Sequence, residues 1–387
     1  MRRRVSDAAR PRRSSVGNVN RRLAQALLVM AALALFVFAW RGDAPWFERH
    51  VFLPQQFFTV ANHRLVFWSR TTAALTASLL LLIVPSVPRR AALQRLGGAV
   101  LLALIVAEGF LQWRLRRLVN PGLADAMEML TTEHRRYGPT FAAGLDRVHR
   151  ISGRQILFRT DAESRRISGA AIDPALPSLV FTGESTVAGV GLRWDETFPA
   201  IVAARLHLQV VNLGSPAYRL DQSWLRLKDA LPTLEHPVAV VGLFMPGLVA
   251  RSFGGQQHPR ARPSTAGGVE LLPPEAPALL QRSSLYRLWN HVYWSDAAFE
   301  AGMQSISALL RDMAALAKAR SASCIFVVTG RTPEWMVREL FDVTGLEYVA
   351  VDVPEQELLA DGHPTPQGTV RIADAVEARL RTRIANR

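Results

Sequence analysis

The chain has 387 residues, of which 49% are hydrophobic and 20% charged, a composition that excludes an intrinsically disordered protein. Its formal net charge of +14 is compatible with a nucleic-acid partner. No zinc-ligand spacing, aromatic ribonucleoprotein motif or basic recognition helix accompanies that charge, so we expect no nucleic-acid binding. The lone cysteine, Cys324, excludes an intramolecular disulfide and a Cys-x-x-Cys metal site, and its apolar surroundings predict a buried strand.

The first part of the chain has the pattern of a membrane region. Residues 1–22 are rich in arginine and are predicted to form a basic cytoplasmic tail, because positively charged segments stay on the inner side of a membrane. Residues 23–117 carry three apolar segments, each predicted to be a transmembrane helix: 23–40, 71–87 and 96–113. The first has no small-residue cleavage site behind it and is interpreted as a retained anchor.

The number of spans decides on which side of the membrane the rest of the chain lies. With the tail inside and three spans, the residues after about 118 emerge on the outer side. We therefore expect a multi-pass protein of a bacterial-type cytoplasmic (inner) membrane, with its soluble domain on the outer, periplasmic side. If the second segment does not span the bilayer, that domain lies in the cytoplasm instead.

Strands and helices alternate in the last part of the chain. Residues 118–177 have a mixed, partly helical pattern and are predicted to be a connector, and 178–387 are predicted to form the soluble domain, with an insertion at 251–283. The predicted strands of this domain are 179–182, 208–213, 238–244, 324–329 and 348–352. The predicted helices are 196–206, 221–234 with Asp221 as N-cap, 297–320, 333–341 with Pro333 in the first turn, and 366–384.

Short apolar strands separated by helices are typical of a parallel sheet covered on both faces. We therefore predict an α/β fold, a three-layer α/β/α sandwich with a five-stranded parallel sheet, preceded by the transmembrane helices. Reactive groups collect at the carboxyl ends of the strands in such sheets. Ser185, Gly214, Gly247 and the loop 361–363 all follow a predicted strand, so we expect them to lie at one edge.

Three side chains predict acyl-transfer chemistry. Ser185 follows an apolar strand in a turn of small residues, and His363 is a candidate for the base that takes its proton. Asp361, two residues before the histidine in an extended loop, would hold the ring nitrogen remote from the serine. Asp352, at the end of the last strand, is the alternative acid. Read alone, Asp-Gly-His is equally compatible with a surface turn, but the serine at a strand end favours a catalytic triad.

An acyl-serine mechanism also needs hydrogen-bond donors for the developing oxyanion. The backbone N–H groups of Ser185 and Gly214 are candidates. Gly214 follows the second predicted strand, where a missing side chain lets the backbone approach a substrate. The alternative for Gly214 is an ordinary strand-to-helix turn.

In this order, the motifs resemble those of the SGNH/GDSL hydrolase superfamily over about residues 155–385. Gly183-Glu184-Ser185 looks like the family's Gly-Asp-Ser block, with glutamate in place of aspartate. Asn212-Leu213-Gly214 is similar to the block that supplies the oxyanion glycine, and Asp361-Gly362-His363 to the Asp-x-His block of envelope O-acyl esterases and transferases. The resemblance implies a flavodoxin-like fold and ester hydrolysis or acyl transfer through an acyl-serine, without metal or cofactor.

One position departs from the family's pattern. After the third strand the family usually has an asparagine whose side chain completes the oxyanion hole, whereas here the chain reads Phe244-Met245-Pro246-Gly247-Leu248. The N–H of Gly247, or Asn290 from the insertion, would have to replace it. Losing one such donor typically costs about 2.7–4 kcal/mol of transition-state stabilisation, which predicts a slow enzyme. Glu184 lies outside the triad, so this departure from the family's aspartate is expected to affect activity less than the missing asparagine.

Three functions stay open at this point. The first is a membrane-anchored serine esterase that removes ester-linked acyl groups from an acylated substrate such as an envelope glycan. The second is an O-acyltransferase that discharges the acyl-serine onto a polysaccharide hydroxyl and uses its membrane helices to contact an acyl-donor partner in the bilayer. The third is a non-catalytic scaffold or binding module on a degenerate fold, which the missing asparagine would favour and the retained triad residues disfavour.

Overall fold

The computed structural model describes residues 15–52, 63–86, 101–102, 105–106, 108–109, 130–151, 154–249, 260–264, 268–272, 283, 285–286, 293–329, 332–359 and 362–385. The chain divides into two compact units. One comprises residues 1–49 and 60–117, and the other residues 50–59 and 118–387.

The first unit is helical. It contains α1 (Ser15–Arg41), the short α2 (Ala44–Phe47) and α3 (His63–Ile83). Among the residues that the structure describes, two helical segments are long and apolar enough to cross a membrane by length and composition, Arg22–Arg41 and Val66–Ile83. The helix α3 begins at His63, eight residues before the predicted start at 71, and the added residues include the apolar run Leu65-Val66-Phe67-Trp68. The third predicted span, 96–113, lies mostly outside the described residues, and its described positions 101–102, 105–106 and 108–109 are helical.

The helices α1 and α3 pack against each other along their length. Two side chains join them by donating to backbone carbonyls: Nε of Arg70 to Ala39 at 2.7 Å, and Nε2 of Gln25 to Val84 at 3.0 Å. Most of their apolar surface stays exposed, as in Leu27 (62%) and Leu82 (75%). Apolar helices with this much uncovered surface suit an apolar environment.

In the second unit, residues 130–159 form two antiparallel hairpins where a mixed, partly helical connector was predicted. They consist of β1 (Thr131–His134) with β2 (Gly138–Phe141) and β3 (Asp146–Ile151) with β4 (Arg154–Arg159). In β4 the buried Ile156 and Phe158 alternate with exposed neighbours, the period of a half-buried strand. These side chains pack on Ala188 and Val190, so the hairpins belong to the core of the domain.

The central sheet has five parallel strands, as predicted. They are β5 (Ser178–Thr182), β6 (Gln209–Asn212), β7 (Pro237–Phe244), β10 (Ser323–Val328) and β11 (Tyr348–Ala350), in the order β11-β10-β7-β5-β6. A separate small hairpin, β8 (Arg260–Pro263) with β9 (Val269–Leu272), lies within the predicted insertion. The chain leaves β5 for the edge strand β6 and then returns past β5 to β7. This reversal next to β5 creates a switch point, where parallel sheets bind their ligands.

Helices cover both faces of the sheet, which confirms the predicted three-layer α/β fold. After the short α4 (Ser185–Ala188), the helices are α5 (Phe198–Leu206), α6 (Leu220–Ala230), α7 (Asp296–Ala319), α8 (Glu334–Val337) and α9 (Pro366–Ala385). Leu179 and Phe181 of β5 face the layer of α5 and α9, whereas Val180 faces the layer of α6, α7 and α8. Apolar residues at successive positions of β5 thus supply both cores.

Two predicted roles at helix N-termini are wrong. Asp221 is not the N-cap of α6, because that position is taken by Arg219. Asp221 lies in the first turn and forms a buried ion pair with Arg219 at 3.0 Å. Pro333 precedes α8 as its N-cap residue instead of lying in its first turn. Cys324 lies in β10 as predicted, and burial raises the pKa of its thiol to about 12, so it is no thiolate nucleophile at neutral pH.

Candidate active site

Ser185 is held at the carboxyl end of β5 by a tight turn. It is the first residue of α4 and only 8% exposed. Gly183 makes the turn possible, with a φ of +158° that side chains rarely adopt. A Cβ on Gly183 would lie 2.5 Å from Cγ2 of Val187 and 2.8 Å from Cβ of Leu243. Glycine is therefore required for the strand to enter α4 at this point.

His363 lies near the end of the connection from β11 to α9, which spans residues 351–365, and backbone hydrogen bonds hold it on both sides. The N–H of Leu359 donates to the carbonyl of His363 at 2.7 Å, and Gly362 between them adopts the left-handed φ of +85°. On the other side, the N–H of Thr365 donates to the carbonyl of Glu357 at 2.8 Å. These bonds fix the backbone that carries the imidazole.

The two loops bring a hydroxyl and an imidazole into contact. Nε2 of His363 lies 2.7 Å from Oγ of Ser185, although the residues are 178 positions apart in the chain. Nδ1 of the same ring is buried. Asp361, the third member of the predicted triad, lies outside the described residues. Asp352, the alternative acid, is exposed.

A second side chain contacts the same serine oxygen. Oγ of Ser185 donates a hydrogen bond to Oε2 of Glu184, and Oε1 of Glu184 accepts from the N–H of Thr186 at 2.9 Å. Glu184 is 3% exposed and caps α4. Glutamate is not among the residues favoured at helix N-caps, so the residue type does not indicate this role of Glu184.

The candidate oxyanion donors differ in their availability. The N–H of Ser185 stands at the first position of α4, where no acceptor exists within the helix. The N–H of Gly214 donates to Oδ1 of Asn212 at 2.9 Å, so it is engaged inside its own turn. Gly247 is buried in the helical turn after β7. The structure therefore leaves Ser185 as the clearest donor of the three.

Gly214 lies in the turn after β6, the alternative that its sequence pattern predicted, and it also packs closely on α4. A Cβ at this position would lie 2.5 Å from the backbone nitrogen of Ala188 and 2.8 Å from Cβ of Val187. Nδ2 of Asn212 donates to the carbonyl of Val187 at 2.8 Å. The turn after β6 thus rests directly on the helix that begins with Ser185.

A buried arginine holds the segment that follows the nucleophile. Arg166 is 1% exposed, and its Nη1 donates to the carbonyls of Ala188 and Gly189 at 2.6 Å each. Its Nη2 donates to the carbonyl of Leu192, also at 2.6 Å. Burial lowers the pKa of this guanidinium to about 9, and the charge of Glu196 partly opposes that shift. No sequence signal distinguishes Arg166 from the many exposed arginines.

Further polar contacts tie both hairpins to the site. Nη2 of Arg154, in β4, donates to both carboxylate oxygens of Glu196 at 2.7 and 2.9 Å. Burial alone would raise the pKa of Glu196, but the hydrogen bonds from Arg154 and from the N–H of Arg193 outweigh it and the pKa is lowered. In β2, Oγ1 of Thr140 accepts from the hydroxyl of Tyr218 at 2.9 Å, beyond the Gly214 turn.

The described residues contain no group of three or more His, Cys, Asp or Glu side chains placed to hold a metal ion. The groups assembled at Ser185 are a hydroxyl, an imidazole, a carboxylate and a backbone N–H. This set can form and break an ester bond at a serine oxygen.

Comparisons with known proteins do not identify the function of this chain, so the proposal for its function rests on the geometry of the site. No protein-family model and no curated protein matches the chain. Among solved structures, one that matches is an acetyl xylan esterase from the rumen bacterium Butyrivibrio proteoclasticus, with 12% sequence identity and a TM-score of 0.36. The match covers 56% of this chain and 66% of that chain, so this chain spans just under two thirds of the length of that esterase.

Replacing Arg166 tests whether its hydrogen bonds to three backbone carbonyls stabilise the fold around Ser185. Arg166→Met removes the donors from three buried carbonyl oxygens, and each unsatisfied buried acceptor costs about 1–3 kcal/mol. We expect a loss of about 3 kcal/mol after relaxation, or roughly 6–12 °C in Tm, measured by thermal unfolding of the full-length protein in detergent.

The matched control is Arg150→Met, which removes an exposed arginine from β3, in the hairpin that precedes Arg166 in the chain. It should change the unfolding free energy by less than about 0.5 kcal/mol. Equal Tm values for the two variants would show that the carbonyl contacts of Arg166 do not support the fold.

Proposed function

We propose that this protein is a membrane-anchored serine esterase of the SGNH type, which hydrolyses ester-linked acyl groups through an acyl-serine at Ser185. The contact of 2.7 Å between Nε2 of His363 and Oγ of Ser185 carries the proposal. A nucleophilic hydroxyl, a base within hydrogen-bond reach and a helix-terminal N–H beside them are the elements that acyl transfer requires. Asp361 is proposed as the acid that orients His363.

The first half of the reaction forms the acyl-enzyme. Oγ of Ser185 attacks the ester carbonyl while Nε2 of His363 takes its proton. The tetrahedral oxyanion accepts a hydrogen bond from the N–H of Ser185, and the N–H of Gly247 is the proposed second donor. Collapse of the intermediate breaks the bond to the alcohol, which leaves with the proton from His363.

The second half regenerates the serine. Water attacks the acyl carbonyl and gives its proton to His363, and the carboxylic acid leaves as Oγ of Ser185 recovers that proton. The N–H of Gly214 contributes to the oxyanion hole only if its bond to Asn212, 2.9 Å long, opens or is shared. With few free donors, we expect a modest turnover rate.

The proposed substrate is an O-acylated envelope glycan or similar material on the outer side of the cytoplasmic membrane. Two apolar helices in the first unit and a strongly basic segment before them support anchoring with the N-terminus inside. The periplasmic placement of the soluble unit further requires that residues 96–113 form a third span.

Acyl transfer to a polysaccharide is the second candidate, and one observation favours it. The described part of the first unit holds two packed apolar helices, whereas one suffices for an anchor. A second helix gives a surface for an acyl-donor partner in the membrane. Supplying an acylated glycan and an unacylated acceptor glycan separates the two candidates: an esterase releases free acid, and a transferase acylates the acceptor.

Ester cleavage should depend on Ser185. We expect purified full-length protein in detergent to hydrolyse p-nitrophenyl acetate, and Ser185→Ala to lower kcat by at least about a thousandfold, because the variant cannot form the acyl-enzyme. The control Ser168→Ala removes an exposed serine of the same unit and should leave kcat unchanged. Equal activity of wild type and Ser185→Ala would end the enzymatic proposal.

The acid of the triad is tested by two matched substitutions. Asp361→Asn should lower kcat by about 10⁴-fold, because an amide no longer holds the imidazole in the tautomer that accepts the serine proton. Asp352→Asn should leave kcat within about twofold of wild type, because the side chain of Asp352 is exposed. The reverse pattern would assign the acid role to Asp352.

The side of the membrane is tested by a membrane-impermeant fluorophosphonate. Applied to intact spheroplasts, it should label Ser185, because the proposed topology exposes the soluble unit outside the cytoplasmic membrane. A cytoplasmic serine hydrolase in the same cells should label only after lysis. Labelling of Ser185 only after lysis would place the soluble unit in the cytoplasm.

A further inference from the structure

Two different groups compete for one proton at the nucleophile. Oγ of Ser185 donates to Oε2 of Glu184, and the same oxygen lies 2.7 Å from Nε2 of His363. A hydroxyl has a single hydrogen to donate, and an ionised carboxylate can only accept. While the serine proton is directed to Glu184, His363 can bond to Oγ only by donating a hydrogen from Nε2.

That arrangement is unreactive for acyl transfer. A histidine that already carries a hydrogen on Nε2 cannot take the serine proton there. Attack therefore requires the hydroxyl to turn from Glu184 to His363, with the imidazole hydrogen on Nδ1. After this turn, Oε2 of Glu184 faces a lone pair of Oγ instead of a hydrogen, which is electrostatically unfavourable at a buried site.

We propose that Glu184 is a further residue of the active site, which restrains Ser185 by holding its proton away from His363. This inference rests on the proposed esterase function and concerns the same site. A hydrogen bond from a hydroxyl to a carboxylate is stronger than one between neutral groups, so the resting arrangement is favoured over the reactive one. Acylation is then slower than the Ser185–His363 pair alone would allow.

The position of Glu184 is fixed by the fold. Its Oε1 accepts from the N–H of Thr186 at 2.9 Å, and its side chain is 3% exposed. The backbone just before it is constrained by Gly183, which has no room for a Cβ. The carboxylate therefore cannot turn away from Ser185 without giving up its role as the cap of α4.

Two substitutions remove the restraint in different ways. In Glu184→Gln the side-chain oxygen still caps Thr186, but the amide nitrogen now donates to Oγ of Ser185 and leaves the serine proton for His363. In Glu184→Asp the charge and the cap are kept, because aspartate is a favoured N-cap residue, but the shorter side chain withdraws from Oγ. The control is Glu235→Gln, which makes the same chemical change at an exposed position.

The measurement is the second-order rate constant for labelling of Ser185 by a fluorophosphonate, with full-length protein in detergent. This reagent reports the first covalent step alone. We expect Glu184→Gln and Glu184→Asp to label roughly tenfold faster than wild type, the size of one lost charge-assisted hydrogen bond. Glu235→Gln should label at the wild-type rate. A purely structural role of Glu184 predicts slower labelling together with a lower Tm.

Rates at or below that of wild type in both variants would overturn the inference. A slower rate with unchanged Tm would instead make Glu184 an accessory base for Ser185, which also contradicts a restraint. If Glu184→Gln does not fold, Glu184→Asp decides. If the proposed esterase function is itself wrong, wild type will label no faster than Ser185→Ala. That result distinguishes failure of the proposed function from failure of the inference about Glu184.

Discussion

The hydrogen bond between Ser185 and His363 depends on how the chain crosses the carboxyl edge of the sheet. The strands β5 and β11 are separated by β7 and β10, so they lie about 14 Å apart at a spacing of about 4.8 Å per strand. The segment after β11 therefore spans that distance, which brings the imidazole of His363 to Ser185. Packing of α9 against α5 fixes the end point, and Oγ1 of Thr369 donates to the carbonyl of Glu196 at 2.7 Å.

Segments of the chain that precede the sheet hold the backbone that follows Ser185. Arg166 holds three carbonyls of the segment after α4, and Arg154 bonds to Glu196 in the segment that leads to α5. Burying a guanidinium lowers the free energy of unfolding unless its N–H donors are satisfied. For Arg166 the acceptors are backbone carbonyls instead of a carboxylate. The second hairpin, through Arg154, and the segment that carries Arg166 therefore support the backbone that follows Ser185, although they contribute no reacting group.

The sequence predicted the sheet well and its surroundings poorly. Continuous apolar runs such as 238–244 identify buried parallel strands, and the residues that follow them mark the functional edge. The first hairpin was missed because β1 reads Thr-Thr-Glu-His, with no apolar alternation, and its pairing with β2 is a tertiary property. The second was missed although Ile156 and Phe158 alternate with more exposed residues in β4. The contact of Glu184 with Ser185 depends on rotamers, and the engagement of the Gly214 N–H on the orientation of Asn212. Neither can be predicted from residue spacing.

The proposed ester cleavage requires that the Ser185 hydroxyl is activated by His363 and by no other base. Mass-spectrometric mapping of the fluorophosphonate adduct on the full-length protein tests this directly. We predict that the adduct lies on the peptide containing Ser185 and that His363→Ala removes it while the protein stays folded. An adduct on another serine, or undiminished labelling of Ser185 without His363, would contradict the account.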